Sequence, residues 1–305
     1  MTPIATVVAL LLAIFSPGAS QREREPNDRP TDATPLARTP KGQPDFLTRS
    51  YTDGLVERGK LVPGDVDYYS FAARAGDVVL VSLFEPGRGS FADPMLAVAG
   101  PGDTEPVAID DDGGPGFLPR LAVPIDRTGV WTIAVTGFGD ETFDGDDHEA
   151  RYDYDLVVGV ATNVPSQAER DAGAGNDTVP RAELRLPSPG RVVVVTGDLA
   201  PGDVDHFLLP ASFTVLTASL YDESAGQFND SHLRLLDRTG RRLFAVDDDS
   251  GPGFLSNLAF DRASAPGAAV LAVTGFDPDP ADDRGHRERF RYRLVVSQAP
   301  VSRAR

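Results

Sequence analysis

The chain has 305 residues, with 46 acidic against 29 basic side chains for a formal charge of −17, and no cysteine. A field of that sign repels nucleic acid and anionic membrane surfaces and attracts cations and basic partners. The missing thiols exclude disulfides, lipid attachment at a cysteine and thiolate metal sites. The length accommodates two ordinary domains.

The first twenty residues read as a secretory signal. Ile4 to Phe15 is almost unbroken in apolar character, too short to span a bilayer comfortably, and Gly18 and Ser20 fit a cleavage site before Gln21. The mature chain is therefore expected in the periplasm or outside the cell, with no membrane insertion. An exported protein without disulfides needs another device to fix long loops, and bound calcium is a common one.

Glycine and proline number 30 and 26, and no long stretch carries helical apolar spacing. Punctuation that dense predicts short strands joined by turns. Residues 29–58 are expected to be a lead-in loop with an edge strand. Strands are then predicted around Tyr69–Ala73, and at Val78–Phe84, Met95–Ala99, Leu121–Ile125, Trp131–Thr136 and Tyr152–Val158. Val78–Phe84 is apolar enough to lie between two layers. The acidic stretch Gly137–Ala150 should project from the sheet. After a linker beginning at residue 161, the second half is predicted to hold strands at Arg191–Thr196, Phe207–Leu209, Thr214–Tyr221, Leu233–Leu236, Leu243–Val246, Leu258–Phe260, Val270–Thr274 and Tyr292–Val296.

These halves are one domain written twice. Pro63-Gly64-Asp65-Val66-Asp67 returns as Pro201-Gly202-Asp203-Val204-Asp205, Asp110-Asp111-Asp112 as Asp247-Asp248-Asp249, and Thr136-Gly137-Phe138 as Thr274-Gly275-Phe276. Landmarks holding register over that span predict an all-β protein of two tandem jelly-roll-like antiparallel sandwiches, at 21–160 and 161–305.

Oxygen-rich residues gather at two places that such a fold could bring together. An extended Glu23-Arg24-Glu25-Pro26-Asn27-Asp28 puts Glu23, Glu25 and Asn27 on one side. Those side chains could face Asp65 and Asp67 and enclose calcium, which takes six to eight oxygen ligands at roughly 2.3–2.6 Å. Ordinary solvated acids near a terminus would read the same way. The Asp110–Asp112 and Asp247–Asp249 triplets offer another cation site, but followed by Gly113 and by Ser250-Gly251 they suit tight turns as well.

Glu25-Pro26-Asn27-Asp28, then Gly59-Lys60-Leu61, then Gly64-Asp65-Val66-Asp67-Tyr68-Tyr69-Ser70-Phe71 resembles the bacterial pre-peptidase C-terminal domain, related to collagenase collagen-binding domains. The Gly129-Val130-Trp131-Thr132-Ile133 and Tyr154-Asp155-Leu156-Val157-Val158 strands fit that family as well. The resemblance spans nearly all of 21–160 and, more loosely, 161–298. It implies a calcium site formed by Glu23, Glu25, Asn27, Asp28, Asp65 and Asp67, in an accessory module of secreted proteins. In the second copy Ala172-Gly173-Ala174-Gly175 precede Asn176-Asp177, so two carboxylates are missing and that site should be weak or absent.

No His-Glu-x-x-His, Gly-x-Ser-x-Gly or P-loop motif occurs. The expectation is a non-enzymatic module binding an extracellular protein or polysaccharide surface, or assisting a secreted hydrolase. The rival is a metal-dependent hydrolase or peptidase in which His148 and His286, which fall in equivalent acidic loops, hold a transition metal. Tyr68, Trp131, Tyr152 and Tyr154 could mark a binding face or fill the core.

Overall fold

The computed structural model describes residues 21–36, 55–84, 93–113, 117–146, 148–169, 176–185, 192–209, 215–223, 229–251, 255–277 and 285–298. The predicted signal segment lies outside them. No described helix is long and apolar enough to cross a membrane.

The first copy contains β1 (Gln21–Arg22), β2 (Thr34–Pro35), β3 (Leu55–Leu61), β4 (Asp67–Ala73), β5 (Val78–Phe84), β6 (Pro94–Ala99), β7 (Ala108–Asp110), β8 (Arg120–Pro124), β9 (Gly129–Gly137) and β10 (Tyr152–Ala161). The second contains β11 (Ser166–Ala168), β12 (Glu183–Arg185), β13 (Val192–Leu199), β14 (Asp205–Leu208), β15 (Val215–Asp222), β16 (Ser231–Asp237), β17 (Leu243–Asp247), β18 (Asn257–Asp261), β19 (Ala268–Gly275) and β20 (Phe290–Gln298), with a short 3₁₀ turn at Val179–Arg181.

These strands form four five-stranded sheets. Sheet 1 runs β1-β3-β10-β5-β8 and sheet 2 runs β2-β4-β9-β6-β7. Sheets 3 and 4 repeat those orders with every label advanced by ten. Setting aside the first two strands of each copy, the remaining eight cross between the two sheets at every step except the β6–β7 and β16–β17 hairpins, which is jelly-roll order. Pairing is antiparallel except where the short edge strands β1, β2, β11 and β12 join in parallel.

Alternation explains the cores. In β4, Tyr69, Phe71 and Ala73 point inward, where they meet Leu61, Trp131, Ile133 and Leu156. Phe207, Leu233, Leu271 and Leu294 fill the second core. Trp131 is 1% exposed and donates its indole N–H to Arg127 O at 3.1 Å. Tyr152 and Tyr154 are buried too, so these three serve the interior, whereas Tyr68 is half-buried on the outer face of sheet 2 and donates to Phe143 O at 3.1 Å.

Every residue of β5 is buried, because sheet 1 is covered twice. Its second face meets sheet 3, whose Val192, Val194, Tyr221 and Val295 join the first copy's hydrophobic cluster. Polar bonds fix that junction. Asn257 donates to Asp110 Oδ1 at 2.8 Å and to Arg120 O at 3.1 Å, and Tyr221 donates to Ala122 O at 3.0 Å. The sheets thus stack in the order 2-1-3-4.

Two expectations fail. Leu55–Leu61 is an interior strand between β1 and β10, not lead-in loop; its charged residues at Arg58 and Lys60 face outward while Gly59 and Leu61 are buried. The Gly137–Ala150 segment does not project. Phe143, at a left-handed φ of 54°, folds back onto Val66, Met95, Ala97 and Ala134 on the outer face of sheet 2. Asp140 anchors that fold by accepting from Thr136 Oγ1 at 2.7 Å and Gly145 N at 2.9 Å. Burial alone would raise its pKa, but those bonds outweigh burial and lower it.

The aspartate triplets act as turns. Asp110 accepts from Gly113 N and Arg120 N, and Asp247 repeats this with Asn257 N.

Candidate metal centre

β1 runs parallel to β3, and the bond from Glu23 N to Arg58 O carries the pairing one residue further. That contact sets the Glu23 carboxylate over Gly59. A Cβ at Gly59 would lie 2.1 Å from Tyr154 Cζ and 2.6 Å from Glu23 Oε2, so only glycine fits beneath both side chains. From the other side, the turn Val62–Asp65 brings in the acids of the repeated motif. Gly64 takes a φ of 82°, and Asp65 Oδ2 accepts from Val62 N at 3.2 Å.

All six residues named from the sequence converge here. Carboxylate oxygens of Glu23, Glu25 and Asp67 lie within 4.8 Å of one another, as do those of Glu25, Asp28 and Asp65, so Glu25 belongs to both groups. Asn27 is fully buried. Its side-chain N–H donates to Tyr68 O at 3.3 Å and its backbone O accepts from Tyr68 N at 3.0 Å, yet its Oδ1 has no protein partner. Asp67 Oδ1 is likewise buried without one. Buried oxygens left unbonded cost on the order of 1–3 kcal/mol each, a penalty that a cation would offset. The donors are all oxygen, as a hard cation of calcium's kind requires.

Beneath the carboxylates runs a chain of hydrogen bonds. Tyr69 OH donates to Glu23 Oε2 at 3.0 Å, Tyr154 OH donates to Asp67 Oδ2 at 2.5 Å, and the two hydroxyls are 2.7 Å apart. Three bonds need three protons, and two hydroxyls supply two. A protonated Asp67 supplies the third by donating to Tyr154, whose hydroxyl then donates to Tyr69. The titration behaviour agrees. Burial first, then repulsion from Glu23, pushes Asp67 up to about 9. Burial likewise raises Glu23 to about 7 and Asp65 to about 6.

The second copy is closer to the first than its sequence suggested. Glu169 stands where Glu23 does: its N bonds to Thr196 O, its Oε1 accepts from Asp198 N, and its Oε2 accepts from Tyr292 OH at 2.9 Å. Tyr292 also reaches Asp205 at 2.7 Å, and burial pushes Asp205 up to about 9. Asn176 is buried like Asn27, with its Oδ1 unpartnered. The expected loss of two carboxylates is thus a loss of one at most. The overlooked signal is Gln167-Ala168-Glu169-Arg170-Asp171, which repeats Gln21-Arg22-Glu23-Arg24-Glu25 with three residues inserted before the asparagine. Asp171 lies outside the described residues. Among the described residues, no carboxylate trio as tight as those of the first copy forms around Asp205.

The histidines have a different task from the metal-holding one of the rival reading. His148 Nε2 donates to Asp65 O at 2.8 Å while its Nδ1 accepts from Ala150 N at 3.1 Å, so both ring nitrogens are engaged. His286 Nε2 likewise donates to Asp203 O at 2.7 Å, its Nδ1 having no hydrogen-bond partner among the described residues. Each clamps the back of its own acidic turn.

No family model matches the chain, and no curated relative was found. Among solved structures it is similar to a periplasmic inhibitor of g-type lysozyme, PliG, from Aeromonas hydrophila, at 16% identity and a TM-score of 0.29, over 47% of this chain and all of that one. It is also similar to the tandem CBM22-1–CBM22-2 domain of Xyn10C from Paenibacillus barcinonensis, at 14% identity and a TM-score of 0.23, over 86% of this chain and 99% of that one. A third likeness, to the M60 catalytic domain with two CBM51 domains of ZmpB from Clostridium perfringens, has 8% identity and a TM-score of 0.21, over 82% of this chain and 35% of that one. Likenesses this distant carry no inference about activity.

Proposed function

We propose that the chain is a non-enzymatic, extracytoplasmic binding module of the pre-peptidase C-terminal kind, whose first sandwich is closed by calcium. The cation would be held by Glu23, Glu25, Asn27, Asp28, Asp65 and Asp67, tying the N-terminal arm to the turn before β4. The second sandwich, with fewer converging carboxylates, would hold calcium weakly. The partner class is an extracellular protein or polysaccharide surface. The observation that carries this reading is the pair of buried oxygens, Asn27 Oδ1 and Asp67 Oδ1, that lack protein partners beside two carboxylate trios.

Ligand-linked stability tests it. Calcium at a hundred times its dissociation constant should add about 2.7 kcal/mol to unfolding free energy if it binds only the folded chain. Glu25→Ala combined with Asp67→Ala should remove that increment, whereas Asp205→Ala should leave most of it. An increment that persists in the double variant would rule out the assignment.

A further inference from the structure

The outer sheets end on strands that hold the same place in each copy and are built differently. Sheet 2 ends on β7 and sheet 4 on β17, and among the described residues no strand pairs with the far edge of either. β7 is three residues long, with Ala108 and Asp110 buried. Glu105-Pro106 precede it and Asp110-Asp111-Asp112 end it, so acid at both ends and a proline guard that edge. Where the first copy has Glu105-Pro106, the second has Arg242-Leu243. The segment there reads Arg241-Arg242-Leu243-Phe244-Ala245-Val246-Asp247-Asp248-Asp249, basic at its head and acidic at its tail. β17 itself is five residues long, and its Leu243 and Val246 are 42% and 50% exposed. Arg241, Arg242 and Asp249 are exposed, Asp248 is partly so, and the Arg242 guanidinium lies 4.6 Å from the Phe244 ring centre.

We propose that two molecules of this chain form a closed dimer by antiparallel pairing of β17 with β17. Centred on Ala245, that pairing sets Arg241 and Arg242 of each molecule opposite Asp249 and Asp248 of the other, with Leu243 and Val246 of both strands between them. Parallel pairing in register would set arginine against arginine and aspartate against aspartate. The charges therefore choose the antiparallel arrangement, whose twofold axis closes the contact at two molecules. Chains of net charge −17 repel one another at long range, so contact needs opposite signs paired locally. β17 supplies them, whereas β7 would bring acid against acid. This dimer goes beyond the binding-module reading and does not depend on calcium.

Sedimentation velocity of the full mature chain in chelator, across a dilution series, tests the proposal. The unaltered protein should sediment as a dimer that dissociates on dilution. Arg241→Asp with Arg242→Asp should raise the dissociation constant at least tenfold by setting acid against acid. Asp248→Arg with Asp249→Arg should do the same by setting base against base. Mixing the two variants should restore the dimer, as should all four substitutions in one chain, which a misfolded variant would not do. A monomer at every concentration, a dimer untouched by either pair of substitutions, or a mixture that stays monomeric overturns the proposal. Chelator removes calcium throughout, so none of these outcomes bears on the metal site, which the stability increment judges separately.

Discussion

Tyr154 donates its hydroxyl to Asp67 at 2.5 Å, and 138 residues later Tyr292 makes the equivalent bond to Asp205 at 2.7 Å. A phenol buried in the core thus reaches one oxygen of an acid whose other oxygen has no protein partner. Tyr154→Phe should cost about 1–3 kcal/mol in urea denaturation with chelator, since it strands a carboxyl oxygen of Asp67 and leaves the Tyr69 hydroxyl with Glu23 alone. With calcium present the loss should be smaller, because the cation satisfies Asp67 independently. Equal losses in the two buffers would show that Asp67 is not a ligand.

The raised acids set a pH dependence. Asp67, Glu23 and Asp65 stand at about 9, 7 and 6, above their ordinary 3.8, 4.5 and 3.8. Without calcium the folded chain then binds more protons than the unfolded chain between those limits. The stability these groups contribute is complete below about pH 4 and is lost as pH rises through about 6 to 9. Calcium competes with those protons, so its stabilising increment should grow over the same window. Melting temperatures at pH 5 and 8.5, each with calcium and with chelator, check this; a constant gap contradicts it.

Gly59→Ala forces a methyl group into the Tyr154 ring and the Glu23 carboxylate. Overpacking of this kind costs about 1–3 kcal/mol. Because the clash falls on a proposed ligand, calcium affinity should fall together with stability, as isothermal titration would read. Unaltered affinity in a destabilised variant would place Glu23 outside the site.

Asn257 joins the copies through Asp110, a fully buried carboxyl. Asn257→Ala should cost about 1–3 kcal/mol by leaving that carboxyl short of a donor. With sheets 1 and 3 sharing one apolar cluster, calorimetry of the unaltered protein should show a single transition, and the variant should lower it as a whole. Two separate transitions in the unaltered protein would refute the shared junction.

Much of this was legible in the sequence, because strand alternation and turn residues are local properties. Val78–Phe84 reads as doubly covered, and it is; Pro-Gly-Asp-Val-Asp reads as a turn feeding a strand, and it is. Glu23, Glu25 and Asn27 were legible on the arm because an extended arm has period two, Asp65 and Asp67 because their motif is repeated, and Asp28 only through the family resemblance. What escaped depended on partners distant in the chain. Leu55–Leu61 carries three charged residues and looks like loop until β1 and β10 flank it. Phe143 and Asp140 sit in an acidic stretch whose burial is decided by the sheet beneath. Glu169 was hidden by an insertion that broke the constant spacing.

Joining the copies consumes one sheet from each, so each keeps a single sheet to present. With layers about 10 Å apart, the two displayed surfaces stand back to back across some 30 Å of protein. One carries Phe143 of its own loop packed on it, and on the other Val179 packs over Val204, Leu236 and Ala272 while Leu243 and Val246 stay exposed. Repeated wiring has therefore produced an object with two opposed ends, so that a partner seated on one leaves the other facing away.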